Sequence, residues 1–491
     1  MRRTEFMRFW KRFGSVLPHL LVAGVLVFAM TATYLRSAPL PWHWMEMVRA
    51  EIRGACEHPD AQWMTMALAA LYFYGFGALR WLQARSQLGK FLVRTRLVLI
   101  MAFTGCALAS YALNYGTATG STDLLVLLMA LAVGQGVALF LGSEEPTDRS
   151  TGEIKLNLLR LIAVLLALAS LAHPAASQQF QYRGRTRWVG LWENPNLFGV
   201  LMAVGFILNL GLLIHTWMGQ RHGGRGSNQQ TPQSVPCSFA VWLLGSLATG
   251  TGLLFSYSRG AWLGAAMGAC WLCWRVLCCA TGPSAPLRPR LLLFRRCVPA
   301  LALLTLALCV AAFWNLRHTE IPLLRRLFTV GNPNDFSWRN RVASWPGALE
   351  VMARQPLTGW GWNRPLSIYE YGNKPTWLSE GGAISLNDYL MIGMTLGVPA
   401  LGTLLLWVWL AWHFPLANAP PQPSAVYHPC MFLSHSALIP LLLACALDGG
   451  LFKLAVAVPY WALLELAEDS TTATLALDKG RGAEGVSRRS G

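Results

Sequence analysis

An arginine between two long apolar runs is the residue whose type and position first suggest chemistry. Arg259 lies in the segment YSRGAWLG, residues 257–264. A cation at a membrane boundary is costly unless it meets an anion or water, and the planar guanidinium offers a fork of donors that matches phosphate oxygens. The alternative is an arginine that only anchors a helix end by extending its charged group to the interface. Anion binding and membrane anchoring are therefore the two interpretations of Arg259.

A second group of cations precedes another apolar run, in the short loop 174–194. It consists of Arg183, Arg185 and Arg187. The sequence GLWENPN follows at 190–196, where Asn194 suits a helix N-cap and Pro195 suits the first position of a helix. The arginines have no such structural explanation. Together with Arg259 they predict a cationic surface that attracts an anionic substrate, such as a lipid-linked pyrophosphate.

The apolar content of the chain predicts an integral membrane protein. Of its 491 residues, 54% are hydrophobic and 13% are charged, and apolar runs of about 20 residues are long enough to cross a bilayer as helices. About twelve such runs occur, at 15–35, 63–82, 96–113, 123–142, 156–173, 195–217, 237–256, 261–280, 297–314, 384–412, 430–447 and 451–466. The run 384–412 is long for one helix, which predicts a break near Gly397 and Pro399. We predict an all-α polytopic protein with about twelve transmembrane helices.

The net charge of +17 does not indicate nucleic-acid binding, because the basic residues lie in short loops between the spans. The basic segments that fall on one side of the membrane are 2–12, 85–94, 221–225, 288–296 and 479–489. The loop 143–155, on the same side, gives the weakest support for this topology, since its carboxylates offset its two basic residues. Acidic residues, however, count for little in the positive-inside rule. Both termini are therefore predicted to be cytoplasmic. The run 15–35 is predicted to be an uncleaved first helix, because no small-residue cleavage site follows it.

This topology divides the chain into four segments. Transmembrane helices one to nine occupy 1–314, and a periplasmic loop with short helices occupies 315–383. Helices ten to twelve occupy 384–466. A cytoplasmic tail, predicted to be disordered, occupies 467–491.

The large loop is predicted to contain a helix over 338–355. Apolar residues recur there at helical spacing: Val342, Trp345, Leu349 and Met352. Such a face either lies on the membrane or closes a cavity. Arg341 on this helix is expected to join the cationic cavity, whereas Arg339, two residues away, is expected to face elsewhere.

The cysteines predict neither a metal site nor a disulfide framework. Cys270 and Cys273 form a C-x-x-C pattern inside an apolar run, where cysteines more often act as small hydrophobic residues than as ligands. Cys56 lies in an external loop without an obvious partner.

Three motifs resemble those of the O-antigen ligase and O-antigen polymerase superfamily. They are the arginine-rich segment that ends in 190–196, the SRGAWLG sequence at 258–264, and a third part made of 341–345, PLTGWG at 356–361 and NDYL at 387–390 ending at Gly397. The resemblance runs from about residue 183 to about residue 410. The order and spacing of the motifs around a large external loop carry it.

The resemblance implies a GT-C-like enzyme of the bacterial inner membrane. Such enzymes move a glycan from an undecaprenyl-pyrophosphate carrier, on the periplasmic side, to a hydroxyl of a glycan, lipid or protein. The implied partners are this donor, its acceptor and membrane lipids, with no nucleic acid, and neither a cofactor nor a metal is implied because the leaving group is already activated. Arginines would stabilise the departing pyrophosphate. The donor-binding residues implied here are Arg185, Arg187, Arg259 and Arg341.

One position departs from the family pattern. Family ligases have His-Asn at the start of the span after the large loop, with the histidine eleven residues before a glycine. Counting back from Gly397 places Leu386 at the histidine and Asn387 at the asparagine. Leucine cannot accept a proton, so Asp388 or Glu380 becomes the candidate general base. Asp388 has a second explanation as a negative charge at a helix N-terminus.

Three functions remain open from the sequence. The chain is a glycan ligase or polymerase, a transporter or flippase of the same anionic lipids, or a catalytically inactive relative, which Leu386 suggests. Transporters tend to place charges and broken helices at the bilayer midplane. Here the charges collect at one outer face, which favours the enzyme.

Overall fold

The structure, a computed structural model, is almost entirely helical. It describes residues 87–114, parts of 127–134, 149–172, 180–182, 185–190, 192, 194–223, 235–280, 336–361, 364–377, 387–417, 429–453 and 455–467. The first elements are α1 (Gln87–Leu113), α2 (Arg149–Ala172), β1 (Phe180–Tyr182), β2 (Arg185–Arg187), α3 (Pro195–Gly223), α4 (Val235–Phe255) and α5 (Arg259–Ala280). The later elements are α6 (Phe336–Arg354), α7 (Arg364–Ile368), a π-helix (Tyr369–Asn373), α8 (Asp388–Leu396), α9 (Val398–Ala417), α10 (Pro429–Leu447) and α11 (Ala455–Ala467).

The helices agree with the predicted spans wherever the structure describes them. Helices α1 to α5, α10 and α11 coincide with seven of the apolar runs. The long run divides as predicted, because α8 ends at Leu396 and α9 begins at Val398, on either side of Gly397. The runs 15–35, 63–82 and 297–314, with most of 123–142, lie outside the described residues. The number of spans therefore stays a prediction.

Two described helices are each long and apolar enough to cross a membrane alone, Pro195–Met218 and Ser238–Phe255. They occupy different environments in the bundle. Helix α3 packs against α2, α4, α5 and α10, and 78% of its apolar window is buried, against 33% for α4. A helix that is apolar on all sides belongs inside a bundle, so α3 is the central helix of the described part.

A short hairpin, which the sequence did not predict, precedes α3 in the otherwise helical structure, and the all-α class still holds. Strands β1 and β2 pair antiparallel, with Phe180 opposite Arg187 and Tyr182 opposite Arg185. Aromatic residues and threonine favour strands, but a two-stranded hairpin is only marginally stable by itself. This one is anchored to α4, since the Trp188 N–H donates to the Phe255 carbonyl at 3.0 Å and the two rings stack at 4.8 Å.

Helix α6 confirms the predicted helix in the large loop, and two residues of its apolar stripe are exposed. Val342 and Leu349 are 39% and 49% exposed. The buried face instead carries small residues and an asparagine: Asn340, Ser344, Gly347, Ala348 and Val351. Small side chains let α6 approach its neighbours closely, and a methyl group on Gly347 would meet the Tyr369 ring at 2.5 Å. The larger residues are therefore left outward, where the membrane alternative still applies.

The segment after α6 is joined to the break between α8 and α9. The Trp360 and Gly361 N–H groups donate to the carbonyls of Met394 and Thr395, at 2.8 and 3.1 Å. Gly359 has φ +62°, and a side chain there would overlap the Thr395 carbonyl. Only glycine adopts this conformation freely and permits this approach. The PLTGWG motif thus holds the end of α6 against the bundle.

Candidate active site

The turn between α4 and α5 determines where Arg259 lies. The Ser256 N–H donates to the Gly252 carbonyl at 2.9 Å, and the Ser258 N–H donates to the Ser256 hydroxyl at 3.1 Å. Tyr257 adopts φ +51°, which is uncommon for a residue with a side chain. Arg259 is then the first residue of α5 and is half-buried.

The start of α5 is an electropositive position. The first turn of the helix contains no acidic residue, although the dipole of a helix favours negative charge at its N-terminus and disfavours a cation there. Arg259 adds its charge to this end of the dipole. The helix terminus and the arginine together favour an anion supplied from outside the helix.

Arg187 is bonded directly to the same turn. Its Nε donates to the Ser256 carbonyl at 2.8 Å, across 69 residues of sequence. Its Nη2 donates to Asn196 Oδ1 at 2.8 Å, and only 8% of the residue is exposed. The structure therefore brings Arg187 and the N-terminus of α5 together, as the sequence predicts.

Asn196 is placed by the predicted helix cap. The Asn194 side chain accepts from the Asn196 N–H at 2.8 Å and from the Leu197 N–H at 3.4 Å. Helix α3 begins at Pro195, which confirms the cap and the first helical residue. Asn196 then extends between Arg187 and the end of α10.

Asp448 joins the parts of the site. It follows α10 directly, and its Oδ1 accepts from Arg341 Nη2 at 2.6 Å and from Asn196 Nδ2 at 3.1 Å. Its Oδ2 lies against the start of α5, where a methyl group on Gly260 would be only 2.6 Å away. A continuous chain of polar contacts thus runs from Arg187 through Asn196 and Asp448 to Arg341.

The site contains more positive than negative charge among the residues that the structure describes. Arg341 pairs with Asp448, Arg187 is linked to Asp448 through Asn196, and Arg259 begins the adjoining helix. The Arg341 and Asp448 side chains are 13% and 7% exposed. Charges this far from water act strongly on one another, so the site favours a further anion.

The two arginines of α6 diverge, as predicted. Arg341 turns toward Asp448, whereas the Arg339 guanidinium carbon lies 5.7 Å from the centre of the exposed Trp377 ring. Residues two apart on a helix project in different directions. The two-residue spacing on α6 therefore places Arg341 in the site and Arg339 at the surface.

The comparison with known families agrees with this geometry. Residues 244–405 match the family model described as O-Antigen ligase. This match supports the resemblance of residues 244–405 to the O-antigen ligase and polymerase superfamily. This family is integral to bacterial membranes and performs ligase- or polymerase-type glycan transfer in general. The curated proteins contain no significant match to the chain.

The O-antigen ligase match covers only part of the site. It includes Arg259, Arg341 and Asp388, and it leaves out Arg187 and Asp448. The polar chain described above therefore connects the ligase region with segments on both sides of it.

Asp388, a candidate base, is buried. It is 1% exposed, and its Oδ2 accepts from the Gly450 and Leu451 N–H groups at 2.6 and 2.8 Å. These bonds hold the turn that follows Asp448. Asn387 caps α8, since its side chain accepts from the Leu390 N–H at 3.1 Å. Both placements suit structural roles.

Several predicted residues cannot be placed. Glu380 and Leu386 lie outside the residues that the structure describes, as does the side chain of Arg185. Within the described ranges, no group of three or more His, Cys, Asp or Glu side chains could hold a metal ion.

The sequence interpretation missed Asp448 and Asn196. A usable signal was present for Asp448, because a lone carboxylate followed by two glycines ends an apolar run, and such an acid is expensive in a membrane unless it is paired. Asn196 carried no signal beyond its position beside the cap.

Proposed function

We propose that this protein transfers or polymerises a glycan from an undecaprenyl-pyrophosphate-linked donor at the periplasmic face of the bacterial inner membrane. The observation that carries the proposal is the polar chain that links Arg187, through Asn196, to Asp448 and Arg341 beside the helix that Arg259 begins. The three arginines come from three distant segments of the chain. A pyrophosphate supplies the charge and the oxygen geometry that such a group of guanidinium groups binds.

The arginines bind the pyrophosphate and stabilise its departure. Arg187, Arg259 and Arg341 face the phosphate oxygens, and Arg185, two residues before Arg187 on the same strand, adds to the cationic entrance. The acceptor hydroxyl attacks the anomeric carbon, and the bond from that carbon to the pyrophosphate oxygen breaks with its electron pair. The charge that grows on the leaving group is met by guanidinium groups already in position.

The carboxylates of α8 and the loop have different roles in this proposal. Asp388 positions the turn at 448–451 through its two backbone bonds, and Asn387 starts the helix that carries it. Glu380 remains a candidate to assist the acceptor from the loop. The predicted topology, with both termini cytoplasmic, places all of them on the periplasmic side, and reporter fusions after Lys374 and after Arg481 measure it.

The test replaces Arg259 or Arg187 by alanine in the native cell. Loss of one charge-assisted phosphate contact costs roughly 1.5–3 kcal/mol, or about 10- to 150-fold in transfer. We expect product glycan to fall by at least that factor and the lipid-linked donor to accumulate, measured by mass spectrometry of the lipid extract. Lysine restores little, since it lacks the fork geometry.

Arg354→Ala is the matched control. Arg354 lies on α6, outside the site, and pairs with Glu350 at the surface, with 48% of its side chain exposed. It should leave product and donor unchanged. Normal product in Arg259→Ala, at a normal level of protein in the membrane, would contradict the proposal.

A further inference from the structure

Among the residues that the structure describes, Asp448 is the carboxylate bonded to an arginine of the proposed pyrophosphate site, and its two oxygens have different neighbours. Oδ1 accepts from both Arg341 and Asn196. Oδ2 lies against Gly260 at the start of α5. The carboxylate therefore lies between the helix terminus and the arginine of α6, where an anionic ligand would also be attracted.

An incoming pyrophosphate competes with Asp448 for Arg341. The diphosphate carries more charge than one carboxylate, and its oxygens match the guanidinium fork. When Arg341 donates to phosphate instead, a lone pair of Oδ1 becomes available. The carboxylate stays in place because Asn196 still donates to it and because the turn that follows is held by Asp388.

The position of the reacting carbon follows from these contacts. The anomeric carbon is one bond from a pyrophosphate oxygen, and two of the arginines proposed to bind that pyrophosphate are linked to Asp448, Arg341 directly and Arg187 through Asn196. A pyrophosphate bound by these two arginines would bring the anomeric carbon close to the carboxylate. A hydroxyl that attacks this carbon comes within reach of Oδ1.

We propose that Asp448 is a catalytic residue, which is released from Arg341 by the donor and then accepts the proton of the acceptor hydroxyl. This inference rests on the proposed glycan transfer. The acceptor oxygen forms the bond to the anomeric carbon, its proton passes to Asp448, and the electron pair of the broken bond leaves with the pyrophosphate. The proton later returns to water, so that the carboxylate is restored.

The test separates donor binding from transfer. Binding is measured with undecaprenyl pyrophosphate, added to the purified full-length protein in nanodiscs. Transfer is measured in the native cell as product glycan, and the purified variant is analysed for intact lipid-linked glycan that copurifies. Asp448→Asn should bind undecaprenyl pyrophosphate as tightly as the parent protein or more tightly, because the competing charge is gone.

Transfer by Asp448→Asn should fall by about 10²- to 10⁴-fold, the usual contribution of a positioned base, and the variant should copurify with intact donor. Asp448→Glu keeps a carboxylate and should restore part of the transfer. Glu350→Gln, which removes an exposed carboxylate of α6, should change neither binding nor transfer. If Asp448→Asn does not accumulate in the membrane, Asp448→Ser takes its place in the same comparison.

Each outcome bears on one claim. Normal transfer in Asp448→Asn overturns the catalytic role, and so does a parallel loss of binding and transfer, which is the sign of a purely structural ion pair. Equal loss in Asp448→Glu and Asp448→Asn, with binding intact, also overturns it. If the parent protein itself fails to bind undecaprenyl pyrophosphate, the proposed function fails instead.

Discussion

The two sides of the candidate site are built in different ways. One side, the hairpin wall, consists of β2, Trp188 and the turn 256–258, and it carries Arg187. Backbone and side-chain hydrogen bonds attach it to the central bundle. The other side, the α6 unit, consists of α6, residues 356–361, α7, the π-helix and α8, and it carries Arg341.

The α6 unit has a small core of its own. Its fully buried apolar residues are Ala348, Val351, Tyr369 and Met394, separate from the large core of the bundle. It meets the bundle at the start of α9, where the Val398 N–H donates to the Pro356 carbonyl at 2.7 Å, at α1, where the Ser110 hydroxyl donates to the Thr395 carbonyl, and through the ion pair of Arg341 with Asp448. Contacts with the bundle therefore fix the position of Arg187 in the hairpin wall. The position of Arg341 depends on how the α6 unit is attached to the bundle.

The largest expected effect comes from detaching the α6 unit. In Gly359→Ala, a residue at φ +62° would overlap the Thr395 carbonyl, and such backbone strain costs roughly 1–3 kcal/mol before the overlap is counted. We expect a clear fall in thermal stability in detergent, together with loss of transfer. Gly105→Ala in α1 is the control, since nothing lies within 4 Å of its added methyl group. Equal stability in the two variants would mean that the attachment is unimportant.

The second-largest effect is a difference in transfer between variants of the two arginines of α6. Arg341→Gln should lower transfer by about 10- to 100-fold, because a charge-assisted contact contributes roughly 1.5–3 kcal/mol. Arg339→Gln should leave transfer nearly unchanged, since its exposed contact with Trp377 is worth about 0.5–1 kcal/mol of stability. The measurement is product glycan per amount of membrane protein. A similar loss in both variants would mean that α6 acts only as a scaffold.

A smaller effect is expected at Gly260, near the start of α5, which lies against Asp448. In Gly260→Ala the new methyl group would lie 2.6 Å from Asp448 Oδ2, so the short aspartate must shift away from its position. Alanine is a better helix former than glycine by about 1 kcal/mol, and the fold should not be weakened. We expect about a tenfold loss of transfer, a contact weakened by about 1.4 kcal/mol, at unchanged thermal stability. Gly402→Ala in α9, with open space around it, should have no effect on transfer.

The smallest effect concerns a single hydrogen bond between α1 and the α6 unit. The Ser110 hydroxyl donates to the Thr395 carbonyl at 2.6 Å, and both residues are buried. Ser110→Ala should reduce the free energy of unfolding by about 1 kcal/mol, the usual net contribution of such a bond. Transfer should remain near normal in assays at low temperature. A large loss of transfer in Ser110→Ala would show that this single bond between α1 and the α6 unit is needed to position the site.

Local patterns in the sequence were sufficient for the helices and their ends. The cap at Asn194, the break at Gly397 and the divergence of Arg339 from Arg341 each depend on residues within one or two turns, and the structure confirms all three. The hairpin at 180–187 was not predicted, and for the apolar stripe of α6 the sequence left two alternatives open, the membrane and a cavity. Both depend on what the segment packs against, namely α4 for the hairpin and Tyr369 for α6.

The sequence by itself determined a basic, apolar, multi-helix chain with arginines at the ends of its helices, because hydrophobic period and cap chemistry are local properties. Only the tertiary structure decided which carboxylate those arginines meet. Asp448 is 107 residues from Arg341 and 252 residues from Asn196, and no local rule relates residues at such separations. The contact of Asn196 with Asp448 results from the packing of α3 against α10, and that of Arg341 with Asp448 from the position of α6 beside them. The same packing buries Asp388 beneath the turn, which explains why two carboxylates of similar appearance in the sequence occupy such different positions.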